Sequence, residues 1–209
     1  MSQQPGATVG TDIAHEDCAR AETSIPIGAD ALFEFISDIE RLFRLNPHLA
    51  IEAWQRKPDG MGFAALNETT GVRTETAVGV EVDGKKRTIV LRYAGGLKQA
   101  TTLAIEDGDG HGCRLVVTEH YPVIVDTQDP RVAEVDRSLI PWVNAIRRHL
   151  LGRKSWGWLP GWRWWNEHFL PGMAPRQRRI VRMIIWISVL EFVVFLLVAA
   201  IFWAERRGG

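Results

Sequence analysis

The chain has 209 residues, of which 46% are hydrophobic and 24% charged, a globular composition with room for one ordinary domain plus additions. Its formal charge of zero is a cancellation: residues 1–152 carry 16 Lys/Arg against 22 Asp/Glu, and residues 153–209 carry 9 against 3. An acidic body argues against nucleic acid as a partner, and two cysteines, Cys18 and Cys113, are too few for a disulfide framework or a metal-ligand spacing.

Residues 1–18 lack the apolar core of a signal peptide and are expected to be a disordered polar tail. "ARAETSIPI" (19–27) alternates as a first strand. Leu32, Phe33, Phe35, Ile36 and Ile39 then recur at helical spacing, with Asp30 a candidate cap for one short helix and Asp38 for a second that Asn46-Pro47 ends. From Leu49 to Val123 the period falls to two over six strand candidates. Turn chemistry at Asp59-Gly60, Asp83-Gly84 and "DGDGHG" separates them, which predicts an antiparallel meander. Val132, Val135, Leu139, Trp142, Val143, Ile146 and Leu150 then mark one apolar face of a long helix, with a kink expected at Pro141. That face needs the sheet to cover it.

Residues 153–182 interleave Trp156, Trp158, Trp162, Trp164 and Trp165 with Gly, Pro and basic side chains, an arrangement expected at the headgroup level of a membrane; an aromatic cap folded onto the body is the alternative. Residues 183–203 form an apolar run of 21 residues, enough at about 1.5 Å each to cross a hydrocarbon core of roughly 30 Å. Seven Lys/Arg precede the run from Arg153 on and two follow it, which predicts a single-pass protein with its N-terminal domain in the cytoplasm and a short tail at 204–209.

A strand, two short helices, six meander strands and a long helix give the order of an α+β helix-grip fold over residues 19–152. With "IPIGADALFEFISDIERLFRLNPHL" (25–49), this resembles the START-like (SRPBCC) superfamily, which includes polyketide cyclase/dehydrase-like and coenzyme Q-binding proteins. The resemblance implies an antiparallel sheet gripping the long helix, with an elongated apolar pocket between them for a lipid, sterol, quinone or polyketide. It implies no universal catalytic residue, cofactor or metal. The Trp-rich region and the apolar run are additions to such a domain.

Alternation places Thr74, Thr76 and Val78 on one face of their strand, and Ile89, Leu91 and Tyr93 on one face of the next; Leu115, Val117, Glu119 and Tyr121 share a face further on. If these faces meet Leu139, Trp142, Val143 and Ile146 of the long helix, they wall either a ligand pocket or a filled core. Glu119 beside Tyr121 is the candidate for acid–base chemistry, with Arg92 as a basic neighbour; a structural pairing of Glu119 with such a base is the alternative. Within the apolar run, an ionised Glu191 costs roughly 2.5–3.5 kcal/mol at the bilayer centre, so it must be neutralised, paired or sheltered. Ser188, Glu191 and Phe195 share a helix face expected to meet another membrane subunit or a second copy, unless Glu191 simply faces lipid protonated. The leading expectation is a non-enzymatic, membrane-anchored accessory module for a lipid- or quinone-like molecule. An aromatase/cyclase-like enzyme and an assembly protein with a filled cavity are the alternatives.

Overall fold

The computed structural model describes residues 17–58, 60–108, 112–122 and 138–208. Seven strands form one antiparallel sheet in the order β1-β7-β6-β5-β4-β3-β2: β1 (Asp17–Ile25), β2 (Leu49–Lys57), β3 (Gly60–Asn67), β4 (Arg73–Asp83), β5 (Thr88–Tyr93), β6 (Ala100–Asp107) and β7 (Cys113–Tyr121). The six meander strands follow one another as neighbours because turns this short reverse the chain without a crossover. β1 begins at Asp17, two residues before the expected start, and brings the exposed Cys18 into register opposite His120.

Helices α1 (Ala29–Ser37) and α2 (Ile39–Arg44) connect β1 to β2. Asp38 caps α2 as expected, its carboxylate accepting from the Arg41 N–H at 3.2 Å. Asp30 does not cap α1; it lies in the first turn and pairs with Arg87 at 2.9 Å, and Gly28 holds the cap position. Helix α3 (Leu139–Trp156) packs across the sheet. Pro141 lies in its first turn, where the missing N–H forfeits no helical bond, rather than at a mid-helix kink. Val132 and Val135 lie outside the described residues.

The core lies between the sheet and helices α1, α2 and α3. Leu32, Ile36, Leu42, Leu103 and Ile146 are fully buried, each contributing about 1.5–3 kcal/mol over an exposed side chain. Trp142 satisfies its buried indole by donating to the Leu42 carbonyl at 2.8 Å while its ring meets Phe43. Asn46 donates to Ser138 at 2.8 Å, fixing the start of α3 to the end of α2.

Beyond α3 the chain folds back as helix α4 (Pro160–Trp164), a π-turn (Trp165–Phe169) and a 3₁₀ turn (Leu170–Gly172). Leu170 and Pro171 are buried, and Glu167 lies 3.5 Å from both Arg41 and Arg153. Helix α5 (Pro175–Gly208) then runs for 34 residues, about 51 Å. It is long and apolar enough to cross a membrane, and every side chain from Met183 to Trp203 is exposed.

Candidate functional site

The β3–β4 hairpin, the β5–β6 loop and the end of β7 enclose a cleft of about 120 Å³. Phe43, Leu49, Phe63, Val72 and Leu97 give it apolar walls; Asn67, Thr70, Thr74, Thr76, Tyr93, Lys98 and Tyr121 supply polar groups. The floor is rigid because Phe63 stacks on Trp54 with ring centres 5.7 Å apart and meets Phe43 at 5.1 Å. Gly96, in the β5–β6 loop, has φ +89°, a conformation open to glycine that lets the loop turn over the cleft.

At one end, polar groups converge on a carboxylate. Glu119 is 1% exposed, on the inner face of β7 opposite Thr101. Lys98 donates to its Oε1 at 2.5 Å and the Tyr121 hydroxyl donates to its Oε2 at 2.7 Å. Tyr93 and Thr101 share a hydrogen bond at 3.0 Å beside them, and the Lys98 ammonium lies 5.9 Å from the centre of the Tyr93 ring. Lys98, Tyr93 and Tyr121 line the cleft, whereas Glu119 sits behind them as a buried countercharge. The arrangement can present the Lys98 ammonium, and the Tyr121 phenol oxygen as an acceptor, to a polar group at the end of an otherwise apolar molecule.

Sequence alternation places Glu119 and Tyr121 on the inner face, and the structure puts them there. Its basic partner is corrected: Arg92 follows Leu91 on β5, so it points to the outer face and pairs with Glu81 at 2.7 Å. Of the residues expected to wall a pocket, Thr74, Thr76 and Tyr93 do so. Val78, Ile89, Leu91, Leu115, Val117, Leu139, Trp142, Val143 and Ile146 instead interdigitate in the closed core, because α3 packs directly onto these strands. Lys98 escaped sequence reasoning, since a loop residue has no period to read. Among the described residues no group of His, Cys, Asp or Glu is gathered for a metal.

The five tryptophans divide. Trp162 packs against α3, where a Cβ added to Gly152 would meet its ring at 2.9 Å, and Trp165 stacks on Phe169 at 4.5 Å. Trp156, Trp158 and Trp164 are exposed, Trp158 by 76%. Ser188, Glu191 and Phe195 project from α5 with no side chain of the domain against them.

The start of α5 is tied to the rim of the cleft. Glu68, at the tip of the β3–β4 hairpin, accepts from the Arg176 N–H in the first turn of α5 at 3.0 Å and from Arg179 at 2.7 Å. Asn67, Thr70 and Val72 of the same tip line the cleft.

No family model matches this chain, and no curated protein matches its sequence. Solved structures do match its shape. The aromatase/cyclase Zhui of Streptomyces sp. R1128 superposes with a TM-score of 0.54 over 68% of this chain and 98% of its own, at 15% identity. TTHA0849 of Thermus thermophilus gives 0.50 over 66% of this chain and 100% of its own, at 16% identity. The di-domain aromatase/cyclase BexL gives 0.50 over 66% of this chain and 48% of its own, at 15% identity. The body therefore has the helix-grip fold of START-like proteins, and α5 is an addition to it.

Proposed function

We propose that this chain is a membrane-anchored START-like module that receives one end of a lipid- or quinone-like molecule at the cytoplasmic membrane surface. The observation that carries the reading is the shared hairpin: Asn67, Thr70 and Val72 line the cleft, and Glu68 of the same tip holds the base of α5. A membrane across α5 would lie next to the rim, and a ligand dissolved in the bilayer would have a short path to it.

The exposed apolar surface of α5 supports anchoring, because 21 uncovered residues are untenable in water. Trp186 and Trp203 stand 17 residues apart, about 26 Å along the helix, the separation of two aromatic belts. Arg207 lies over Trp203 at 4.3 Å. Exposed Trp156, Trp158 and Trp164 suit the near headgroup layer, and the seven-to-two bias in Lys/Arg supports the cytoplasmic orientation. At about 120 Å³ the cleft is smaller than the roughly 300–1,000 Å³ of whole-ligand pockets, so it suits a ring or chain end and not an entire lipid. The face of Ser188, Glu191 and Phe195 is proposed to meet a membrane subunit or a second copy, making the module an accessory of a membrane complex.

Full-length protein purified from native membranes in mild detergent, analysed by native mass spectrometry and solvent extraction, tests the ligand. One apolar molecule per chain, lost on Thr74→Trp, supports the reading; an empty chain contradicts it. The catalytic alternative has one observation in its favour, the Lys98 ammonium and the Tyr121 phenol held against Glu119 on the cleft wall. It requires that Glu119→Gln abolish turnover of a polyketide-like substrate.

A further inference from the structure

A second cleft, of about 280 Å³, opens where α3, the Trp-rich segment and the base of α5 meet. Arg148 reaches it from α3, Trp162 and Asn166 from the segment, and Arg178, Arg179 and Arg182 from α5; no Asp or Glu lines it. Four guanidiniums in one small cavity repel one another unless something negative sits among them.

The protein supplies little of that charge. Arg179 pairs with Glu68 at 2.7 Å. Arg178 donates to the carbonyls of Met173 at 2.9 Å and Arg44 at 2.5 Å, acceptors that orient a guanidinium without cancelling its charge. Arg148 reaches the carbonyl of Asn144 at 3.4 Å. Among the described residues no carboxylate forms an ion pair with Arg148, Arg178 or Arg182. The nearby Glu167 is engaged by Arg41 and Arg153. His149, also on the wall, is pushed down to about 4 by its burial, then by the Arg41 charge, with Arg153 and Arg182 adding and Glu167 opposing. At neutral pH the imidazole is therefore uncharged, and the site's net field comes from the arginines.

The location names the anion. Arg182 is the residue immediately before Met183, where the apolar run of α5 begins, so the cleft lies at the level of the first lipid phosphates if α5 crosses a bilayer. Guanidinium forks match phosphate oxygens in pairs, and Arg148 of α3 lines the same small cleft as Arg178, Arg179 and Arg182 of α5, with Arg178 and Arg179 held in place by their own hydrogen bonds. We propose that this cleft binds a phosphate group, and that an anionic phospholipid is its source. The lipid source rests on the reading of α5 as an anchor, whereas the phosphate chemistry does not.

The test uses the full chain in dodecyl maltoside. Native mass spectrometry with added phosphatidylglycerol, beside phosphatidylcholine as comparison, should show retained phosphatidylglycerol. Arg148→Gln/Arg182→Gln should weaken its retention by at least about tenfold, since each substitution removes a charged hydrogen-bond donor. Both residues are exposed, and the single Arg182→Gln variant should show a smaller loss in the same direction. Arg206→Gln/Arg207→Gln, at the far end of α5, should change nothing. Retention undiminished by the first pair, or reduced equally by the second, overturns the proposal. Inorganic phosphate is titrated separately: stabilisation by phosphate with no lipid retained keeps the phosphate site and overturns its lipid source. Because this arm needs no bilayer, a chain that proves not to be membrane-bound leaves it intact as a test of the cleft.

Discussion

The ammonium of Lys98 lies 2.5 Å from Oε1 of Glu119, so a carboxylate sealed into the sheet is neutralised from the wall of the cleft. The pair is asymmetric, with Glu119 1% exposed and Lys98 20%. Removing the lysine strands a buried charge, whereas removing the carboxylate leaves an ammonium able to turn to water. Lys98→Met should therefore cost about 3–5 kcal/mol of stability. Glu119→Gln, whose amide still accepts from Tyr121, should cost about 1 kcal/mol. Denaturant unfolding of the detergent-solubilised chain checks the order; equal losses contradict it.

His149 gives a pH dependence. Burial, then the Arg41 charge, lower it to about 4 from an ordinary value of 6.5, and its Nε2 accepts from Arg41 at 3.0 Å. Between those limits the unfolded chain binds more protons than the folded one, so stability from this group is full above pH 6.5 and is lost as pH falls toward 4. The loss amounts to at most about 3 kcal/mol. His149→Gln keeps an acceptor for Arg41 and should flatten the unfolding midpoint against pH in this window; an unchanged slope contradicts the assignment.

Glu68 predicts a local effect. Glu68→Ala removes the acceptor of the Arg176 N–H and the partner of Arg179, freeing the base of α5 from the hairpin. Tryptic cleavage at Arg176, Arg178 and Arg179 should accelerate about tenfold, as local opening becomes roughly 1.4 kcal/mol easier, with little change in the global unfolding midpoint. Unaltered cleavage contradicts a tie at this point.

Glu191 predicts an assembly effect. Glu191→Leu removes the polar group from the face it shares with Ser188 and Phe195, and should make the helix insert more readily while losing any membrane partner held there. Affinity purification from native membranes compares the two chains. Identical partners contradict a contact at Glu191.

Much of this architecture is legible in the residues. Strand alternation assigns inner faces correctly because a period of two leaves no choice once one face is apolar; Glu119 follows Val117 and Leu115 inward for that reason. The same rule sends Arg92 outward beside Leu91, so an intended pairing with Glu119 conflicts with the alternation. Its true partner, Lys98, lies in the β5–β6 loop, where position depends on the turn and not on a repeat. Periodicity also cannot tell a pocket wall from a core: Val78, Leu91 and Ile146 carry the same signal either way, and only the close approach of α3 decides. The folding-back of Trp162 onto Gly152 depends on a contact between distant helices. Helix α5, by contrast, is read from length and apolarity alone.

Whether α5 holds this domain on a membrane is decided by fractionation. Lysates containing the full chain, prepared without detergent, are washed with alkaline carbonate and centrifuged at high speed, alongside a chain ending at Ala174. The full chain is expected in the pellet, released only by detergent, and the shortened chain is expected to be absent from that detergent-released fraction. An intact full chain in the carbonate supernatant would contradict anchoring by α5.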